Sequence, residues 1–83
     1  MSSNADEAIQ VLTELEEDVN IPKNIKVKIK KITGILKEDA ELSIKANKAL
    51  NDLDEISSDP NLDSYTRTQL WNIVSILEKI SHQ

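Results

Sequence analysis

Apolar residues recur every three or four positions in four stretches of the chain, at about residues 4–18, 23–37, 39–57 and 63–81. This spacing places them along one side of an α-helix and leaves polar residues on the other side. The four apolar sides are Ala5, Ala8, Ile9, Val11, Leu12 and Leu15; Ile25, Ile29, Ile32 and Leu36; Leu42, Ala46, Ala49, Leu53 and Ile56; and Leu70, Ile73, Leu77 and Ile80. The pattern therefore predicts four amphipathic helices.

Two of the three predicted breaks combine proline with residues that cap helices. Residues 18–22 read Asp-Val-Asn-Ile-Pro, and residues 59–63 read Asp-Pro-Asn-Leu-Asp. Proline suits the start of a helix and disrupts its interior. The middle break is weaker, because only Gly34 and the Lys-Glu-Asp run at 37–39 mark it. We expect the third helix to be capped there by Asp39.

The chain matches itself, without a gap, when it is shifted by 41 positions. The shift superimposes Ala8 on Ala49, Leu12 on Leu53, Glu14 on Glu55, Asp18 on Asp59, Asn20 on Asn61, Ile32 on Ile73, Ile35 on Ile76 and Leu36 on Leu77. Periodic helices match by chance at apolar positions, but the shared Asp-x-Asn turn is harder to obtain by chance. We therefore expect an internal duplication, with repeat units at about residues 4–37 and 45–78.

Two such hairpins bury their apolar sides most simply against each other. We predict a single helical domain over residues 1–83. Its fold class is all-α, an up-and-down four-helix bundle made of two duplicated antiparallel helical hairpins. The predicted core includes Leu12, Leu15, Ile29, Ile32, Leu36, Leu53, Ile56, Leu70, Ile73 and Leu77.

Composition narrows the setting of this domain. The 83 residues include no cysteine, which excludes disulfides and thiolate metal sites. No apolar run approaches the roughly 18 residues that span a bilayer. Residues 1–7 lack the basic and apolar regions of a signal peptide. These features favour a cytoplasmic protein without membrane contact.

Charge is segregated along the chain, whose net charge is −5. Residues 1–20 hold six acidic residues and no lysine or arginine, whereas residues 21–37 hold six lysines and no acidic residue. One side of the second predicted helix carries Lys23, Lys26, Lys30 and Lys37. These lysines could contact the phosphates of a polyanion. The overall acidity and the absence of nearby aromatic residues favour instead a role in neutralising the acidic neighbouring helices.

Apolar residues cover more than half of the circumference of the last predicted helix, because Tyr65, Trp71, Val74 and Ile76 lie beside its main apolar side. One interpretation is that Trp71 closes the core and keeps its indole N–H at the surface. The other is that Tyr65, Trp71 and Val74 belong to the surface of a homodimer or of a complex with another protein. Ile44 of the third helix would extend such a surface.

No residue combination typical of catalysis, cofactor binding or metal binding occurs in the sequence. The single histidine, His82, lies next to the last residue, and metal sites need several convergent ligands. Carboxylates are plentiful, but nothing predicts the apolar cleft that acid–base chemistry requires. A glycine-rich phosphate loop and a nucleophile–base pair are also missing. We predict no enzyme, no cofactor and no metal site.

Each half of the chain also resembles a HEAT-type helical hairpin, whose repeats run about 40–47 residues. Such hairpins place an aspartate near the turn between the helices and an arginine early in the second helix. The corresponding pairs here are Asp59 with Arg67, and Asp18 with Lys26. Because solenoids usually need three or more repeats, two units are expected to close on each other or to dimerise.

The whole chain resembles the small archaeal proteins of uncharacterised protein family 0147. The resemblance is most specific in the run Leu-Asp-Glu-Ile-Ser-Ser-Asp-Pro-Asn at 53–61 and in Arg-Thr-Gln-Leu-Trp-Asn-Ile-Val-Ser at 67–75. It implies an archaeal source and a helical bundle, and it implies no activity, cofactor or partner.

The sequence therefore favours a non-enzymatic protein-interaction or self-associating helical module. The alternative is an accessory nucleic-acid-binding protein that uses the lysines of the second helix.

Overall fold

The computed structural model describes residues 4–81, with the backbone only for Asn4 and Ser81. Within this range the chain forms four α-helices and no strand: α1 (Asn4–Glu16), α2 (Lys23–Leu36), α3 (Leu42–Ser57) and α4 (Ser64–Ser81). Consecutive helices pack against each other, and α4 packs against α1. The predicted all-α four-helix bundle is thus confirmed. His82 lies outside the described residues.

The core is formed by the predicted apolar sides of all four helices. Ten large side chains are fully buried, namely Leu12, Ile25, Ile29, Ile32, Leu53, Ile56, Leu70, Ile73, Leu77 and Ile80. All ten residues of the predicted core are buried, including Leu15 and Leu36. Three alanines, Ala8, Ala46 and Ala49, are also fully buried. Their small side chains let neighbouring helices approach closely while the larger residues fill the space between them.

The turns inside the two hairpins are held by equivalent hydrogen bonds. The backbone N–H of Asn20 donates to Asp18 Oδ1 over 2.9 Å, and the backbone N–H of Asn61 donates to Asp59 Oδ1 over 2.9 Å. The residue after each asparagine, Ile21 or Leu62, donates its backbone N–H to the carbonyl of the same aspartate over 3.3 Å. Both aspartates therefore build the same Asx turn between two helices.

The connection between the hairpins differs from the prediction. The expected cap at Asp39 is wrong, because α3 begins at Leu42 and its N-cap residue is Glu41, whose side chain makes no capping hydrogen bond. Residues 37–41 instead form a non-helical link in which Ala40 N–H donates to the carbonyl of Glu38 over 3.0 Å. Lys45 Nζ donates to that same carbonyl over 3.1 Å. These bonds hold the link in a non-helical conformation, so the helix starts later.

The start of α4 has a side-chain cap. Thr66 donates its backbone N–H to Asp63 Oδ1 over 2.9 Å, and Arg67 N–H donates to the Asp63 carbonyl over 3.1 Å. A hydrogen bond from the side chain of Thr66 and, to a smaller extent, one from its backbone lower the pKa of Asp63 below its usual value. By contrast, the N-cap residues of α2 and α3, Pro22 and Glu41, make no side-chain capping hydrogen bond.

Candidate functional site

The outer side of α4 is the least charged helix surface in the described part of the chain. Its exposed residues between positions 64 and 77 are Ser64, Tyr65, Thr68, Trp71, Asn72 and Ser75, which we call the α4 outer face. The one charged residue of that range, Arg67, is half-buried. The exposed residues of α1, α2 and α3 include at least three charged side chains on each helix, whereas those of α4 include two, Glu78 and Lys79 near its end. Depletion of charge is a property of the centres of protein interfaces.

Two aromatic residues border the α4 outer face. Trp71 exposes 57% of its surface and Tyr65 exposes 59%. They are six residues apart, which places them about 120° apart around the helix axis. Thr68, Asn72 and Ser75 lie between them, and the Thr68 hydroxyl donates to the Ser64 carbonyl over 2.9 Å. The face therefore consists of small polar residues with an aromatic ring on each side.

The structure does not place Trp71 in the core. The ten large, fully buried side chains of the core do not include it. Val74 is half-buried and packs against the core, and Ile76 is buried at 8% exposure. Thus the broad apolar surface predicted for α4 divides into residues that the bundle covers and two aromatic residues that it leaves exposed.

Ile44 does not join Trp71 in one patch. Ile44 is 48% exposed and lies in the first turn of α3. The neighbouring residues Leu42 and Ser43 line a shallow depression together with Ile80. Ile80 follows Trp71 by nine residues, or about 14 Å along the helix. The two exposed side chains are therefore far apart along the antiparallel pair α3 and α4.

The four lysines predicted as a polyanion contact form a second surface, the lysine surface (Lys23, Lys26, Lys30 and Lys37). Lys23, Lys26 and Lys30 span about 60° of the circumference of α2, and Lys37 follows directly after its last residue. Lys26 is half-buried, and the other three are exposed. Glu16 at the end of α1 and Val27 line an open groove together with Lys23, Lys26 and Lys30. Thr33 Oγ1 lies 3.2 Å from Glu16 Oε2, which ties this acidic residue to α2.

Two ion pairs occur elsewhere on the surface. Lys31 Nζ lies 3.8 Å from Asp52 Oδ2 and joins α2 to α3. Lys48 Nζ lies 3.9 Å from Glu38 Oε1. Neither pair includes a member of the lysine surface. Among the described residues, the ion pair between α2 and α3 therefore uses Lys31, which lies outside the lysine surface.

The pairs that the resemblance to HEAT-type hairpins suggested are not formed. In the described residues, Asp18 and Asp59 accept hydrogen bonds from the backbone of their own turns. Neither ion pair includes Arg67 or Lys26. The aspartates act as turn residues, because each accepts a hydrogen bond from the backbone N–H two positions later.

The grooves between the helices of the described residues are either small or open to solvent. A groove between α2 and α3, lined by Lys28, Lys31, Asp52, Glu55 and Ile56, has a volume of about 160 Å³. The depressions beside Ile80 and along Lys23, Lys26 and Lys30 are larger, about 410 Å³ and about 310 Å³, but they are open to solvent and do not enclose a ligand as small-molecule sites do. Among residues 4–81, histidine, cysteine and carboxylate side chains do not form a group of three that could hold a metal ion. No helix in that same range is both long and apolar enough to cross a membrane.

Sequence reasoning identified the aromatic residues but missed the small polar residues between them. Thr68, Asn72 and Ser75 carry no motif and are common on exposed helix surfaces. A readable signal was present, since positions 64–77 contain one charged residue in a chain that is 30% charged. The sequence does not show, however, that Arg67 is half-buried and therefore does not belong to the exposed side of the helix.

Comparison with known proteins places this bundle among archaeal proteins. The model of the Uncharacterised protein family (UPF0147) matches residues 2–80. A UPF0147 protein of Methanocaldococcus jannaschii is 42% identical over 71 residues, which cover 84% of this chain and 76% of the relative. A UPF0147 protein of Metallosphaera sedula is 42% identical over 76 residues, covering 89% of this chain and 84% of the relative.

A solved structure shows the same fold. The crystal structure of the protein MMP1188, described as of unknown function, superimposes with a TM-score of 0.88 at 38% sequence identity. The match covers 93% of this chain and 89% of that chain. A family model that spans nearly the whole sequence, together with relatives and a structure of similar length, leads to one conclusion: this chain belongs to the uncharacterised protein family UPF0147.

Proposed function

We propose that the chain is a non-enzymatic protein-interaction module whose contact surface is the α4 outer face. The observation that carries the proposal is that this face exposes Trp71 and Tyr65 and has no exposed charged residue between positions 64 and 77. Tryptophan and tyrosine are favoured anchors at interfaces, because they bury a large area with little loss of side-chain entropy.

The ring of Trp71 is not part of the buried core. The core beneath it is filled by Leu70, Ile73 and Leu77, each with no exposed surface. An aromatic side chain that the core does not need costs free energy in water, since its apolar surface remains hydrated. A partner that covers this surface would recover that free energy.

Site-specific photocross-linking tests this surface and does not require the partner to be identified first. Benzoylphenylalanine is placed at position 71 and, in a control variant, at exposed Glu55 on α3, and each protein is irradiated in an extract of the source organism. Position 71 is expected to give discrete covalent adducts, with a second copy or with another protein, and position 55 none. Absence of adducts from position 71, or equal adducts from both positions, would contradict the proposal.

A second candidate function is binding of nucleic acid through the lysine surface. It is favoured by the position of Lys23, Lys26 and Lys30 on one side of α2, with Lys37 directly after the helix. None of the four lysines belongs to either of the two ion pairs. Three of these side chains are exposed, so each could replace a counterion at a phosphate.

Titration of RNA and DNA at about 50 mM salt tests this candidate, because electrostatic contacts are strongest at low salt. Lys26→Gln/Lys30→Gln should weaken binding more than Lys28→Gln/Lys31→Gln, which removes the same charge from another side of α2. Absence of binding by the wild-type protein would eliminate the candidate, and an equal loss in both variants would show that only net charge matters.

A further inference from the structure

We infer that the link between the two hairpins, residues 37–41, is a hinge through which two copies of this chain exchange hairpins. In the exchanged dimer the link is helical, so α2 and α3 form one helix from Lys23 to Ser57. Each α1–α2 hairpin then packs against the α3–α4 hairpin of the other copy. The exchange does not depend on the proposed function, because it uses the buried core and not the α4 outer face.

The link has the composition of a helix and not of a turn. Residues 37–41 read Lys-Glu-Asp-Ala-Glu, without glycine or proline. Lysine, glutamate and alanine are among the strongest helix formers. The connections inside the hairpins, by contrast, contain Pro22 or Pro60 and an Asx turn. The local sequence of the link therefore favours a continuous helix, and only the packing of the closed bundle opposes it.

The helix ends at the link lack the features that usually stop a helix. The N-cap residue of α3, Glu41, makes no side-chain capping hydrogen bond, whereas Asp63 caps α4. No residue of the link has a positive φ, so α2 does not end in a left-handed cap. In a fused helix the N–H groups of residues 41–44 donate to the carbonyls of residues 37–40. Fusion thus gives these backbone groups regular helical partners.

The contacts that keep the link non-helical converge on Glu38. Its carbonyl accepts hydrogen bonds from Ala40 N–H over 3.0 Å and from Lys45 Nζ over 3.1 Å. Its Oε1 lies 3.9 Å from Lys48 Nζ at the surface. Such exposed bonds and ion pairs each contribute little net free energy. The main barrier to opening is therefore the separation of two hairpins that share one core, which makes the exchange slow.

The exchanged dimer restores what opening breaks. Between the hairpins, α2 packs against α3 and α1 packs against α4. Each half of the dimer again contains one hairpin of each kind, so the same core is buried. Because α2 of one copy packs antiparallel to α3 of the other, the two fused helices, each about 52 Å long, lie antiparallel. Exchange of identical elements is for this reason a low-cost route to a dimer.

Isotope-labelled and unlabelled copies test the exchange through an ion pair that joins the hairpins. Lys31 Nζ of α2 lies 3.8 Å from Asp52 Oδ2 of α3, and a carbodiimide can convert this pair into an amide bond. Equal amounts of both proteins, at a total of about 1 mM to favour association by mass action, are warmed to just below the unfolding temperature, cooled and separated by size-exclusion chromatography. We expect a dimer fraction whose Lys31–Asp52 cross-links join labelled to unlabelled peptides. A mixture that stays monomeric, or a dimer with only same-label cross-links, would overturn the inference.

A proline at position 41 fits the closed chain but not the fused helix. Glu41 has φ −58° and ψ 140°, and Pro22, at the equivalent position before α2, has φ −56° and ψ 145°. Inside a continuous helix, proline lacks the N–H and its ring clashes with the carbonyl four residues earlier. Glu41→Pro should therefore keep the circular dichroism spectrum of the wild type and reduce the dimer fraction at least tenfold.

Glu41→Ala is the matched control, because it removes the same side chain and keeps the backbone N–H. Its dimer fraction should equal or exceed that of the wild type, since alanine favours a helical link. Equal dimer fractions in the proline and alanine variants would contradict a helical hinge. The cross-linking of wild-type protein does not depend on either variant. Loss of exchange combined with discrete adducts from position 71 would reject the hinge and retain the proposed function.

Discussion

Leu53 shows what a single side chain contributes to this bundle. It is fully buried in α3, opposite apolar residues of the neighbouring helices. We expect Leu53→Ala to lower the free energy of unfolding by about 2–5 kcal/mol, because the core loses contacts and retains part of the cavity. Chemical denaturation followed by circular dichroism measures the change. Glu55→Ala, two residues away and exposed, is the control; a comparable loss in both variants would contradict this account of the core.

Asp63 makes stability depend on pH. Its pKa is lowered in the folded chain by the side chain and backbone of Thr66. A carboxyl group with a lowered folded pKa stabilises the fold above its unfolded pKa, and this contribution disappears as pH falls through the folded pKa. Asp63→Ala should therefore lower Tm at pH 7, and the difference from wild type should shrink as pH falls below about 4.

Thermal melts of both proteins across this pH range provide the measurement. Asp63→Asn is the informative companion variant, because asparagine retains a capping oxygen without the charge. It should keep part of the difference at pH 7. A difference in Tm that does not change with pH would show that ionisation of Asp63 does not contribute to the cap.

At the scale of the helix, Gly34 is a weak point of α2. It is exposed two residues before the end of the helix, and apart from its chain neighbours and the backbone of its own helix, no atom lies within 4 Å of where its Cβ would be. Its backbone does not have a positive φ. Gly34→Ala should therefore stabilise the protein by about 0.5–1 kcal/mol, because alanine loses less backbone entropy on folding. Denaturant titration measures this gain, and Ser75→Ala at the corresponding position of α4 provides the comparison. A loss of stability would reveal a role of Gly34 in binding or packing.

The helices also show how far local patterns predict structure. The observed bounds of α1, α2 and α4 differ from the predicted ones by at most two residues, whereas α3 starts three residues after the predicted position. Helix α1 ends just before the Asp18 turn, α2 begins after Pro22, and α4 begins after the capping residue Asp63. Proline and capping aspartate are local signals, which the sequence shows directly. The start of α3 depends on the hydrogen bonds that the Glu38 carbonyl accepts from Ala40 N–H and Lys45 Nζ. No sequence motif predicts these bonds.

At the scale of the whole molecule, the duplication remains a prediction that the equivalent turns support. If the two hairpins are copies of one unit, their turns should contribute similarly to stability. Asp18→Ala and Asp59→Ala each remove one hydrogen bond from an aspartate oxygen, at an expected cost of about 0.5–1.5 kcal/mol. Equilibrium unfolding of the two variants tests this, and each should unfold in one cooperative transition, because both hairpins share one core. Costs that differ by several-fold would argue against equivalent roles.

The candidate surface could be predicted only in part. Trp71 and Tyr65 were identified from the sequence because large apolar residues beside a complete apolar side are unusual on a small bundle. Ile44 was grouped with them because helical spacing says nothing about distance between helices. Only the antiparallel packing of α3 and α4 shows that Ile44 lies near the far end of α4.

The sequence by itself determined the four helices, the core and the two Asx turns, because these follow from side-chain spacing and from hydrogen bonds between residues close in the chain. Tertiary structure alone decided which of the remaining apolar residues are covered. Ile76 and Trp71 both lie beside the main apolar side of α4, yet the bundle buries Ile76 and exposes Trp71. The physical reason is that burial depends on the position of neighbouring helices, which a pattern along one helix does not contain.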